Sequence, residues 1–102
     1  MSTPRVVSKL YPIQANKMFL EREGNLAQVT AGGRTYYYGW YAFKQLQKQF
    51  EQRFCYPMPG VTDLYSRMAR IVFDVDAFRT KATGSQKEWL RERIELPESF
   101  PL

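Results

Sequence analysis

The chain has 102 residues, the usual size of one domain and too short for two. It has 44% hydrophobic and 25% charged residues, which is the composition of a globular protein, and its net charge is +5. Histidine is absent and cysteine occurs once, which excludes an intrachain disulfide, a Cys/His zinc site and the histidine-based catalytic dyads and triads. We therefore expect a single domain, residues 1–102, that is not an enzyme and uses no cofactor.

The positive charge is concentrated in the first three-fifths of the chain. Residues 1–60 contain eight Lys/Arg and three Asp/Glu, whereas residues 61–102 contain seven of each. Such an asymmetry favours an anionic partner, although a net charge of this size also serves solubility. No signal peptide and no run of about 18 apolar residues is found, so we expect a cytoplasmic protein, or one inside a host cell, without a membrane partner.

Residues 5–40 have the pattern of β structure. Two-residue hairpin turns are predicted at Gly24-Asn25 and at Gly32-Gly33. The expected strands are Arg5–Tyr11, Lys17–Glu23, Leu26–Ala31 and Arg34–Trp40. We expect them to form an antiparallel sheet of three or four strands.

The second turn fixes a register for the last two strands. It places Ala31 opposite Arg34, and the alternation of side chains then puts Tyr36 and Tyr38 on the core face. Tyr37 is expected on the opposite, mostly polar face, together with Phe19. Core packing does not explain Tyr37, so this side chain is a candidate for binding unless an element of the C-terminal half covers it.

The period changes from two to 3.6 after residue 40. Phe43, Leu46, Phe50 and Phe54 recur at spacings of three and four, which predicts an amphipathic helix over residues 40–54 that packs on the sheet. Two prolines and a glycine within residues 56–60 end this helix.

Residues 61–102 are predicted to be mainly helical. Thr62 or Asp63 fits a helix N-cap, and a helical stripe runs from Leu64 to Val75, but residues 71–73 (Ile-Val-Phe) fit a buried strand equally well.

Further along, Asp74 or Asp76 fits the cap of a short turn that carries Phe78. Residues 85–88 (Ser-Gln-Lys-Glu) match a capping box ahead of a helix that buries residues 89, 90 and 94. The predicted fold class is α+β.

The candidate binding residues are aromatic and basic side chains of the first half. Aromatic rings stack on unpaired bases while Lys and Arg hold phosphates, so the first hypothesis is binding to nucleic acid or to a complex that contains it. The candidates are Lys17, Phe19, Arg34, Tyr37, Lys44, Lys48 and Arg53. The hypothesis requires Arg34, Lys44 and Lys48 to share one surface, whereas a solvated helix surface explains the lysines without any partner.

Other functions fit the same sequence. The strand and helix order resembles, in architecture alone, small DNA-binding domains that read DNA with a sheet, such as those at integrase N-termini. The second hypothesis is a protein-binding regulator, an inhibitor or adaptor of a larger complex of the phage or mobile-element type, with the aromatic face as its interface. A homodimer through the fourth strand or the aromatic face is a third. A metal at Asp74 and Asp76 is not expected, because capping explains both carboxylates.

Overall fold

The computed structural model describes residues 9–13, 26–65 and 69–95. Within these residues the chain forms a sheet of four strands and three helices, an α+β fold. In chain order they are β1 (Leu26–Ala31), β2 (Arg34–Gly39), α1 (Trp40–Phe54), β3 (Val61–Tyr65), β4 (Ala69–Asp74), α2 (Val75–Lys81) and α3 (Gly84–Arg91). The strand expected at Lys17–Glu23, the turn after it and most of the strand expected at Arg5–Tyr11 lie outside the described residues.

The β1–β2 hairpin forms with the register that the sequence predicts. Ala31 lies opposite Arg34 and Val29 opposite Tyr36. Gly32 and Gly33 have φ angles of 58° and 80°, as a two-residue turn that follows the strand twist requires. The side chains of Val29 and Tyr38 are fully buried, whereas Tyr37 on the other face is only partly buried.

The prediction of an antiparallel sheet is wrong for one strand pair. The strand order is β2-β1-β4-β3, and β1 runs parallel to β4, while β1–β2 and β3–β4 are antiparallel. A parallel pair needs a long connection between its strands. Here the connection consists of β2, α1 and β3, so the pairing joins residues more than 40 positions apart, such as Ala27 and Ile71.

The segment after residue 60 is only partly helical, which corrects a second prediction. Thr62 and Asp63 lie inside β3, not at a helix N-terminus, and residues 71–73 lie in β4. Ile71 and Phe73 are buried while Val72 between them is half-buried, which is the period of a strand. The β-branched run fits both periods locally, and pairing with β1 selects the strand.

The core lies on one side of the sheet. On α1, Phe43, Leu46 and Phe50 are buried, and the Phe43 ring lies 5.4 Å from the ring of Phe73 on β4. Phe78 of α2 contacts the same ring at 5.6 Å. Aromatic side chains therefore join the first two helices to the same face of the sheet.

Two caps set the starts of the short helices. Asp74 caps α2 by accepting hydrogen bonds from the backbone N–H groups of Asp76 and Ala77. The capping box of α3 is formed by Thr83 and Gln86, two residues earlier than the pattern at residues 85–88 predicts. Thr83 and Gln86 also have the required spacing, so the sequence contains two overlapping matches to the same motif.

Residues 9–13 lie beside the C-terminal end of the described chain and the outer edge of β2. Leu10 exchanges backbone hydrogen bonds with the segment at Ile94, and the N–H of Ile13 donates to the carbonyl of Tyr37. The Tyr38 hydroxyl donates to the carbonyl of Glu95 at 2.6 Å. This end of the molecule is therefore tied together by hydrogen bonds between distant parts of the sequence.

Candidate functional site

The four described basic residues predicted to bind nucleic acid, Arg34, Lys44, Lys48 and Arg53, do not form one group. Lys44 on α1 forms an ion pair with Asp63 on β3, with 3.2 Å between Nζ and Oδ2, and both side chains are about three-quarters buried. Its charge is thus used inside the fold. Lys48 is exposed one turn further along the helix.

Arg53 lies on a different side of α1 from Lys48. Five residues separate them, which corresponds to a rotation of about 140° around a helix. The Arg53 guanidinium lies over the ring of Phe54, 4.9 Å from its centroid. The three basic candidates of α1, Lys44, Lys48 and Arg53, are therefore divided between two sides of the helix.

Arg34 is far from the Lys44 ion pair. It begins β2 at one edge of the sheet, whereas Asp63 lies on β3 at the other edge, in the row of residues that contains Tyr38. Three strand spacings and four residues of strand length place the two Cα atoms roughly 20 Å apart. Arg34 and Lys44 do not form one compact anion-binding surface.

Tyr37 faces away from the helices. Alternation along β2 puts Tyr36 and Tyr38 on the side occupied by α1, and Tyr37 on the other side with Gln28 and Val72. Tyr37 is therefore on the opposite side of the sheet from Lys44, Lys48 and Arg53 on α1. Lys17 and Phe19 lie outside the described residues.

A cleft that the sequence did not predict lies where the end of α1 meets α3. Its volume is about 350 Å³, and arginine, aromatic and acidic side chains form its walls. We call it the arginine cleft; its lining residues are Arg53, Phe54, Ser85, Glu88, Trp89, Glu92 and Arg93.

Aromatic packing builds the base of the arginine cleft. The Trp89 ring meets the rings of Phe50 and Phe54 edge-on, with centroids 5.6 and 6.0 Å apart. The guanidinium of Arg93 covers Trp89 at 4.3 Å, and its Nη1 atom donates to the Trp89 carbonyl at 2.9 Å. Two arginines are thus stacked on two aromatic rings, an arrangement that holds the planar guanidinium in place.

The charges of the arginine cleft are balanced in number but not all paired. Arg93 contacts Glu92, with 3.4 Å between Nη1 and Oε1, and its buried Nε atom has no hydrogen-bond partner. In the described part of the chain, Arg53 and Glu88 have no ion pair. One positive and one negative side chain therefore remain available at the walls of the cleft.

Exposed tyrosines lie at both ends of α1. Tyr41 is 71% exposed in its first turn, and Tyr56 is 58% exposed just after the last turn, three residues from Arg53. Tyr41 and Lys48 are seven residues apart, so they share one side of the helix at a distance of about 10 Å along its axis.

The sequence contained a signal for this site. Trp89 and Arg93 are four residues apart, which is the spacing of neighbouring side chains on a helix surface. The spacing indicates Arg–Trp stacking but not the approach of Arg53, since that depends on how α1 and α3 pack.

The described residues hold no group of three or more Asp, Glu, Cys or His side chains placed to bind a metal ion. Nor is any helix among them both long and apolar enough to cross a membrane. Comparison with known proteins found no matching family model, no matching curated protein and no matching solved structure.

Proposed function

We propose that the chain is a small, non-catalytic protein-binding regulator, an inhibitor or adaptor of a larger complex, and that the arginine cleft is its interface. The observation that carries the proposal is the pairing of Arg53 with Phe54 and of Arg93 with Trp89 in one open cleft. Arginine, tryptophan and tyrosine dominate the binding energy of protein interfaces.

The charge of the cleft favours a protein over nucleic acid. Two arginines and two glutamates line it, so its walls have no net charge. Binding to a phosphate backbone depends on an excess of Lys and Arg and is weakened by carboxylates at the same surface. Mixed charge around an aromatic centre is typical of protein interfaces.

Nucleic acid is the second candidate, and one observation favours it. Tyr41 and Lys48 are both exposed on one side of α1. Binding to single-stranded nucleic acid combines an aromatic ring for stacking with a cation for phosphate, and this pair has one of each. Two observations weaken this candidate. Lys44 is already paired with Asp63, and Tyr37 lies on the opposite side of the sheet from Lys48. Fewer side chains are therefore available to contact one strand of nucleic acid.

Site-specific photocrosslinking tests the proposal. A benzoyl-phenylalanine is placed at Ser85, on the wall of the arginine cleft, or at Thr35, an exposed position on the opposite sheet face. Crosslinking is carried out in lysate of the source cells before and after nuclease treatment. We expect one discrete protein adduct from position 85, unchanged by nuclease and absent from position 35.

The adduct must also depend on the cleft. Arg53→Ala in the Ser85 probe should abolish it, whereas Lys48→Ala, which removes an exposed charge from the same helix outside the cleft, should not. Equal adducts from both probe positions would contradict the proposal. An adduct that disappears after nuclease treatment or with Lys48→Ala would favour nucleic acid instead.

A further inference from the structure

We propose that the arginine cleft takes a peptide segment that carries one carboxylate and one cationic side chain, with the carboxylate on Arg53 and the cation on Glu88. The inference rests on the proposed function and names the chemistry of the partner. It follows from which charged side chains of the cleft already have partners in the described part of the protein and which do not.

Arg93 is not the primary ligand-binding group. Its guanidinium is stacked on Trp89, donates to the Trp89 carbonyl and contacts Glu92. These contacts use its charge within α3 and the residues that follow it. Arg93 therefore acts as a positioning residue that holds Trp89 and Glu92.

The charges of Arg53 and Glu88, in contrast, are not paired within the described residues. Arg53 is exposed, and its guanidinium is held over the Phe54 ring, so its N–H groups remain available for two parallel hydrogen bonds to a carboxylate. Glu88 is exposed one turn from Ser85 on the facing helix and has no ion pair in the described residues. The two walls of the cleft thus present opposite unpaired charges.

Ligands of a single charge fit this arrangement poorly. A phosphate or an acidic peptide would approach Glu88 and Glu92 as well as Arg53, and a basic peptide would approach both arginines. Like charges brought together at an interface oppose binding. A segment with one charge of each sign satisfies both walls.

Peptide titrations followed by NMR test the inference on the unmodified protein. The probe is a pool of capped alanine-based hexapeptides that contain one Asp and one Arg, separated by zero to three residues. The reporters are the indole N–H of Trp89 and the amides of Gly84 and Ser85. We expect saturable shifts at these signals, and binding roughly tenfold weaker for a pool with Asn and Gln in place of Asp and Arg.

Two further pools separate the alternatives. Pools with two Asp or with two Arg should bind at least as weakly as the neutral pool. Stronger binding of the two-Asp pool would show an anion site and overturn the inference, as would equal binding of the neutral and mixed pools. No saturable binding of the mixed pool, together with a cleft-dependent crosslink at Ser85, would refute this inference and leave the proposed function standing.

A pair of variants tests the assignment of each charge. Arg53→Glu and Glu88→Arg should each weaken binding of the mixed pool by about tenfold, and the double exchange should restore it in part because it only reverses the two walls. The urea midpoints of the variants check that they are folded. Lys48→Glu is the control, with the same charge change as Arg53→Glu on the exposed side of α1, and it should leave the affinity unchanged.

Discussion

Replacing Gly60 with alanine tests how the segment after α1 is held against the end of β4. Gly60 has a φ angle of 80°, which L-residues with a Cβ rarely adopt. A Cβ built at this position would overlap the carbonyl oxygen of Asp74 and lie 3.1 Å from the backbone nitrogen of Phe78. In addition, the Gly60 carbonyl accepts a hydrogen bond from the N–H of Asp74 at 2.8 Å.

Gly33 provides the matched control for the size of this effect. It has the same φ angle of 80°, but nothing lies within 4 Å of a Cβ added there. Gly33→Ala should therefore show the conformational strain alone, about 1 kcal/mol after the smaller entropy of the unfolded chain is included. Gly60→Ala adds an overlap with backbone atoms and the displacement of the carbonyl that accepts from Asp74, so we expect a total of about 3 kcal/mol.

Urea denaturation followed by fluorescence measures both variants. With a slope of about 1–2 kcal/mol per M, the midpoint should fall by about 1.5–3 M for Gly60→Ala and by less than about 1 M for Gly33→Ala. Equal shifts for the two glycines would refute the reasoning, because they would show that the close approach of Gly60 to Asp74 contributes nothing beyond the backbone conformation.

The remaining predictions concern two polar groups of the fold. Burial, with smaller contributions from Tyr36 and Glu95, raises the pKa of Tyr38 far above its ordinary value. Below about pH 10 the hydroxyl is neutral in both the folded and the unfolded chain. Tyr38→Phe should therefore lower the free energy of unfolding by about 1 kcal/mol, because the hydrogen bond to the Glu95 carbonyl is lost. Above pH 10 the unfolded chain releases this proton while the folded chain keeps it, so the wild-type advantage should shrink by up to about 1.4 kcal/mol per pH unit. Urea denaturation from pH 8 to 11 checks this, and a constant difference would contradict it. Lys44→Met should cost about 1–3 kcal/mol, because it leaves the Asp63 carboxylate buried without its ion pair and with Oδ1 already lacking a partner. The double variant with Asp63→Leu should regain most of that stability in a double-mutant cycle, and a loss as large as in Lys44→Met would show that the pair itself is not responsible.

Local sequence signals were sufficient for one hairpin and one helix. The Gly32-Gly33 turn sets the β1–β2 register because two glycines tolerate positive φ angles at both turn positions. The phenylalanine spacing of α1 likewise marks a buried side that runs the length of the helix. In both cases the information lies within about 15 residues of chain.

Local sequence signals could not predict the pairing between distant strands. The β4 strand is held by β1 on one side and by β3 on the other, and its apolar run has no local property that excludes a helix. The choice between the two depends on hydrogen bonds to strands elsewhere in the sequence. The parallel β1–β4 pair was missed for the same physical reason.

In the candidate site, too, local sequence predicts some features, and others depend on contacts between distant residues. The excess of positive charge in residues 1–60 is a property of the composition, but the use of each charge depends on its partner in space. Lys44 meets Asp63 nineteen residues away, and Arg53 meets the wall formed by α3. Helix geometry alone would have separated Arg53 from Lys48, since five residues do not complete a whole number of turns.

The dissociation constant of the crosslinked partner tests the central claim most directly. Once the adduct formed at Ser85 is identified, its affinity is measured for the unmodified chain, for Arg53→Ala and for Lys48→Ala at matched salt concentration. Loss of a central interface arginine should weaken binding at least about 30-fold, while Lys48→Ala changes it less than about twofold. The opposite order, with Lys48→Ala harmful and Arg53→Ala neutral, would contradict the assignment of the arginine cleft as the interface.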